Sequence, residues 1–252
     1  MKQLGKPAAL EVFAGSGHLS EAWRRSMRSA GPRVFEIDIR HGAEHNMCSR
    51  ALVKLIRGWV QGGLVMAVFM GTPCNSFSLA RNRPNGPPTL RTSEYPEGLP
   101  ELKDSCRKEV DLGNTLCAAS FSIFRECRLL GCPVIVENPA SSHLWRQPLV
   151  LKVRDLPGVS EVVFDMCAFG TPWRKYTRLL GCHVDLRPLD IRCKGRGVCT
   201  FTGSPHFTLE MKGSKIVSKQ AEVYPFPVCR AIVNVFRAAL LQKRANTFRP
   251  HI

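Results

Sequence analysis

Apolar residues along the 252-residue chain fall into short runs and helical periodicities, separated by glycine and proline breaks. "AALEVFAGSGHLSEAWRRSMRSAG" reads as a strand, a glycine-bearing turn and a helix, and "RVFEIDIRHG" as a second strand with acidic residues at its end. In "SRALVKLIRGWVQGG", Leu52, Val53, Leu55, Ile56, Trp59 and Val60 recur at helical spacing, and the double glycine stops the helix. "LVMAVFM" is apolar throughout, as a strand buried on both faces should be. "SCRKEVDLGNTLCAASFSIFRECRLLG" predicts a long helix, and "CPVIVENP", "SEVVFDMCAFG" and "TRLLGCHV" predict three more strands. Residues 82–104 hold five prolines and no period, which marks a long loop of the kind that often serves function. Residues 187–215 read as irregular and glycine-rich, and "KQAEVYPFPVCRAIVNVFRAALLQKR" as a proline-punctuated entry to a last helix. Strands alternating with helices predict an α/β fold, a mostly parallel sheet with helices on both faces, whose ligands gather outside the carboxyl ends of the strands.

Composition narrows the class. A hydrophobic content of 44% excludes wholesale disorder. No apolar run approaches the ~20 residues that a membrane-spanning helix needs. The opening "MKQLGKPAALEVFAGSG" enters a strand and a turn directly, without the apolar core or cleavage site of a secretory leader, so an intracellular protein is expected. Eleven scattered cysteines, an odd count, argue against a disulfide framework. The net charge is +16 and is uneven: residues 170–252 carry 15 Lys/Arg against 4 Asp/Glu, a balance suited to a polyanion.

Several residues carry candidate chemistry, each with a plainer alternative. Gly15 and Gly17 stand between strand and helix, where the turn either admits a ligand or is simply tight. Glu11 before them suits a cationic amine, and Glu36 at the second strand's end either grips ribose hydroxyls or is solvated. A dinucleotide fingerprint is incomplete, because Ser20 takes the place of the third glycine in Gly-x-Gly-x-x-Gly. Cys74, after Pro73, is an inert core thiol or a nucleophile with a helper that ionises it. Glu137 leaves an apolar strand and must be paired or held protonated, either as a cap or as a group that bonds a heterocycle.

Taken together and in order, these segments resemble DNA (cytosine-5)-methyltransferases, in particular compact phage-like or mobile-element members. "EVFAGSGHLS" is similar to the cofactor motif Asp-x-Phe-x-Gly-x-Gly, with Glu11 for the aspartate. "PCNSFS" is similar to the nucleophile motif Pro-Cys-Gln-x-Phe-Ser, with Asn75 for glutamine, and "ENP" to Glu-Asn-Val. "FGTPWRKYTRLLG" is similar to the basic motif Gln-x-Arg-x-Arg, with Trp173 for glutamine and the arginines at 174 and 178. The likeness spans roughly residues 10–240.

The resemblance implies a Rossmann-like sheet and methyl transfer from S-adenosylmethionine to C5 of cytosine in DNA, on a base swung out of the duplex. RNA is the alternative substrate, and a non-catalytic nucleic-acid-binding module with the same fold is the alternative function. Cys74 would add to the ring, Glu137 would hold it, and Arg178 or Arg174 would touch the base or its backbone. Glu11, Phe13, Ala14, Gly15, Gly17, Glu36, Ile37, Asn46 and Pro73 would surround the cofactor. The loop with Arg81, Arg83 and Arg91 would close as a lid. The implied division is a catalytic domain over 1–180, a small recognition or zinc-like insert over 181–220, and a closing helix returning over 221–252. The short insert implies short or relaxed sequence specificity. Within it Cys193, Cys199 and His206, with Cys182 or His183 as a fourth ligand, are spaced so as to bind zinc, or are unrelated loop residues. The protein would lie with the DNA, in the nucleus if the cell has one, as a monomer without membrane or protein partner.

Overall fold

A computed structural model describes residues 7–26, 33–82, 86–207 and 221–247. Arg83 and residues 208–220 of the expected insert lie outside the described residues.

Six strands form one sheet: β1 (Ala8–Val12), β2 (Arg33–Ile37), β3 (Val65–Gly71), β4 (Val134–Pro139), β5 (Val159–Asp165) and β6 (Tyr176–Cys182). Their spatial order is β2-β1-β3-β4-β6-β5. The first four strands are parallel; β6 runs antiparallel to β4, and β5 antiparallel to β6. The parallel part needs crossovers, and the helices supply them: α1 (His18–Ser26), α2 (Arg50–Gln61) and α3 (Asp104–Leu129). The sequence expectation of a mostly parallel α/β sheet is met.

The pleat explains why the central strands are apolar throughout. Leu10, Val12, Val68, Met70, Val134 and Val136 face one layer, with Ile56 and Trp59 of α2 and Phe121 and Phe124 of α3. Ala9, Ala67, Phe69 and Ile135 face the other, with Trp23 of α1 and the last helix α5 (Phe226–Thr247). There the Trp23 and Phe236 rings lie 5.2 Å apart, which packs the chain's last helix on its first. Complete burial of each large apolar side chain contributes roughly 1.5–3 kcal/mol.

Local signals set the helix ends. Ser49 caps α2 by accepting a bond from Leu52 N, and Gly62 follows its last turn. A short helix α4 (Pro148–Arg154), which the periodicity does not announce, starts on Pro148, where a missing N–H costs nothing. Among the described residues no helix is long and apolar enough to cross a membrane.

Candidate active site at the carboxyl edge of the sheet

The turn after β1 is built under strain. Phe13 has φ +59, rare for a residue with a side chain, and Gly15 has φ +56, which glycine adopts freely. Asp38 pins the turn by accepting bonds from Gly15 N at 2.9 Å and Arg40 N at 3.0 Å. Burial raises the Asp38 pKa, but those two N–H groups and the Arg40 guanidinium outweigh it, and the net shift is downward. Glu11 sits behind the turn, where its carboxylate accepts from the Ser20 amide at 2.7 Å and from the Ser20 hydroxyl. Burial pushes Glu11 up to about 7 against those bonds. Glu36 is engaged by Arg24, with His41 at 3.8 Å.

Cys74 follows Gly71-Thr72-Pro73 at the end of β3. The peptide before it is fixed by Asn138, whose amide donates to Thr72 O at 2.5 Å, and the Thr72 hydroxyl bonds Ser120 at 2.9 Å. In the next strand, β4, Glu137 stands opposite Gly71, the last residue of β3, and is 5% exposed. One Glu137 oxygen accepts from the Tyr224 hydroxyl at 2.5 Å; the other is buried without a partner among the described residues. Burial raises the Glu137 pKa, with Lys175 and Tyr224 opposing. Burial also raises the half-buried Cys74 thiol, with Lys175 pulling it down and Glu137 and Glu222 pushing it up.

A cavity of about 580 Å³ opens at this edge. Its wall includes Phe13, Gly15, Asp38, Asn46, Pro73, Cys74, Glu137, Lys175 and Tyr224. Six residues expected of the site are therefore brought together: Phe13, Gly15, Asn46, Pro73, Cys74 and Glu137. Glu11, Ala14, Gly17, Glu36 and Ile37 do not line the cavity: Glu11 bonds Ser20, Glu36 pairs with Arg24, and Gly17 turns the chain with φ +69.

The two arginines expected at the base are placed elsewhere. Arg174 pairs with buried Asp165 at 3.3 Å and stacks over Tyr176, while Arg178 pairs with Glu161 at 3.1 Å. Alternation along an extended strand explains this: residues 174, 176 and 178 share one side, and residue 175 takes the other. Lys175 thus faces the cavity as the cation that acts on Cys74 and Glu137, its ammonium also donating to Ala221 O at 2.8 Å. Counting positions by parity from Thr177 would have found it. Tyr224 and Asp38 were also missed; only the second acid in "FEID" gave a signal.

Two further expectations need correction. Cys182 is not part of the sulfur cluster but ends β6 in the main core, paired with Val134 of β4, and His183 bonds Arg128 O at 2.8 Å. The group that assembles is Cys167, Cys193, Cys199 and His206. Arg91 is no lid residue. It is 1% exposed and spends its donors on Ser76, Pro96, Val110 and Asn114, while Arg81 forms a two-bond pair with Glu109.

No family model matches the chain, and a search of curated proteins gives no match. Among solved structures it is similar to the Entamoeba histolytica methyltransferase EhMeth, at 12% identity over 94% of this chain and 97% of that one, with a TM-score of 0.41.

Proposed function

We propose that this chain methylates C5 of cytosine in DNA, with S-adenosylmethionine as methyl donor and Cys74 as a covalent nucleophile. One observation carries the reading. A thiol just after β3 and a buried carboxyl group near the end of the adjacent parallel strand β4, one of whose oxygens has no partner among the described residues, share one cavity. A carboxyl oxygen kept unpaired away from water costs roughly 1–3 kcal/mol, so its persistence favours a ligand group that bonds it.

The cavity suits the donor. Its volume lies within the usual range for small-molecule sites, and its wall offers an aromatic ring at Phe13, a carboxylate at Asp38 and an open turn at Gly15. Bound there, S-adenosylmethionine would supply an electrophilic methyl group. The chain's own residues do the rest. Cytosine C5 is a poor nucleophile until electron density is pushed onto it. The Cys74 thiolate forms a bond to C6 for that purpose, and Lys175 favours the ionised sulfur. Glu137, held toward its protonated form by burial, donates to the ring nitrogen N3 and stabilises the charge that develops. Once C5 carries the methyl group, water entering the cavity takes the C5 proton, the C5–H electron pair re-forms the C5–C6 double bond, and the C6–S bond breaks to return the Cys74 thiolate. The strongly basic last third of the chain supplies the attraction for a polyanion.

The test is transfer of labelled methyl groups to duplex DNA by the full chain, alongside a covalent trap on DNA carrying 5-fluorocytosine. Transfer and a trap, both lost in Cys74→Ala, are expected. Neither activity in the wild type would overturn the reading, and transfer to tRNA in place of DNA would redirect it to RNA.

A further inference from the structure

We propose that Cys167, Cys193, Cys199 and His206 form a structural zinc site of Cys3His type, which fastens the loop over residues 193–207 to the catalytic sheet. The proposal does not depend on the methylation reading.

The three sulfurs make a buried cluster of their own, apart from both apolar layers. Free cysteine packs well as a small hydrophobe, but three of them gathered around an imidazole gain little by packing alone. The four donor atoms all lie within 4.8 Å of one another. Cys193 Sγ stands 4.0 Å from Cys199 Sγ and 3.7 Å from His206 Nε2. Tetrahedral ligands around zinc, with Zn–S about 2.3 Å and Zn–N about 2.0–2.1 Å, would be separated by about 3.8 Å and about 3.6 Å. The sulfurs are too far apart for a disulfide, whose bond is about 2.05 Å.

The loop is shaped to present these donors. Cys199 N donates to Ser204 O at 2.8 Å and His206 N to Gly197 O at 3.0 Å, which brings Cys199 and His206 to one side. Thr200 N donates to Cys193 Sγ at 3.5 Å, the kind of bond that steadies a thiolate ligand. A side chain at Gly195 would lie 1.7 Å from Val198 O, so the turn closes only around glycine. The loop has little apolar anchorage: Val198, Phe201 and Phe207 are 53%, 46% and 68% exposed. A segment so weakly anchored needs a staple, and soft thiolates with one imidazole select zinc. Cys167 belongs to the turn that leaves β5, so the metal would join the loop to the stretch from which Arg174 and Lys175 enter β6. Arg174 reinforces the joint, donating to Gly195 O at 2.8 Å and Cys193 O at 2.5 Å.

Metal analysis of the purified full chain should find one zinc per molecule. Cobalt exchanged into the site should show thiolate-to-metal charge transfer and tetrahedral d–d absorption. Cys167→Ser and His206→Ala should each lower zinc affinity by ~10-fold or more, and Cys182→Ser should keep the full equivalent. Should Cys167→Ser not fold, mercurial titration of wild-type thiols read with a zinc-sensitive dye gives the same answer, because release should track the modification of clustered thiols. Wild-type protein without stoichiometric zinc and without a cobalt charge-transfer band would overturn the proposal. So would a folded Cys167→Ser or His206→Ala protein that keeps its metal with undiminished affinity.

Discussion

Two buried ionisable residues flank the turn that carries Cys74, and they have been treated in opposite ways. Arg91 uses all five of its N–H groups: on Ser76 O and Oγ, Val110 O, Pro96 O and Asn114 Oδ1. Among the described residues it forms no ion pair; burial lowers its pKa to about 10 against the pull of Glu97, Asp111 and Glu109, and the Phe77 ring lies 4.0 Å beneath it. Glu137 holds one bond to Tyr224, and its other oxygen has no partner among the described residues. Both residues are costly to bury. The saturated one fixes the shape of the loop, and on the proposed function the unsaturated one keeps a bonding site for a ligand.

That contrast can be broken by measurement. Cys74→Ala should lower methyl transfer by ~10⁴-fold or more with the unfolding midpoint little changed, since no neighbour relies on the thiol. Glu137→Gln should lower transfer by roughly 10²–10³-fold while leaving stability equal or higher, because an awkward carboxyl group has been neutralised. A large loss of stability there would place Glu137 in the same class as Arg91. Arg91→Met should do the reverse of Glu137→Gln, costing about 3 kcal/mol in denaturant unfolding by stranding carbonyls at Ser76, Val110 and Pro96. A neutral result would show the clasp to be ornamental.

Glu11 sharpens the comparison through pH. Its pKa is raised from 4.5 to about 7 in the folded protein, so the folded state holds that proton more tightly. The stability it contributes is complete below about pH 4.5 and is lost as pH rises through 7, a change on the order of 3 kcal/mol. Glu11→Gln should therefore gain on the wild type by about that amount between pH 4.5 and 7.5 in urea unfolding. The smallest effect is electrostatic. Lys175 opposes the upward shifts that burial imposes on both Cys74 and Glu137, so Lys175→Met should move the pH–rate profile to higher pH. An unmoved profile would detach Lys175 from the chemistry.

The sheet was legible because buried parallel strands are apolar throughout and glycines mark their ends, as in "LVMAVFM" followed by Gly71. Cys74 and Glu137 were legible because a polar residue at the end of such a strand is conspicuous. The rest depended on what sequence spacing does not encode. Arg174 and Arg178 drew attention as arginines, yet side-chain parity on the strand turns them to Asp165 and Glu161 and brings Lys175 to the cavity. Cys182 was near Cys193 in number, but Cys167 is near it in space, because the β5–β6 hairpin folds the earlier residue back beside the loop. Arg91 resembled a lid residue because burial of an arginine leaves no mark in a proline-rich stretch.

Tyr224 lies 87 positions after the carboxylate it touches, and its own carbonyl is met by His18 at 2.9 Å. A chain emerging from the ribosome would thus show its thiol and acid early, on strands already able to pair, while the hydroxyl that seats the acid is still unsynthesised. A message cut short upstream of that codon would keep Cys74 and Glu137 but lose both that hydroxyl and the helix α5 that covers one face of the sheet.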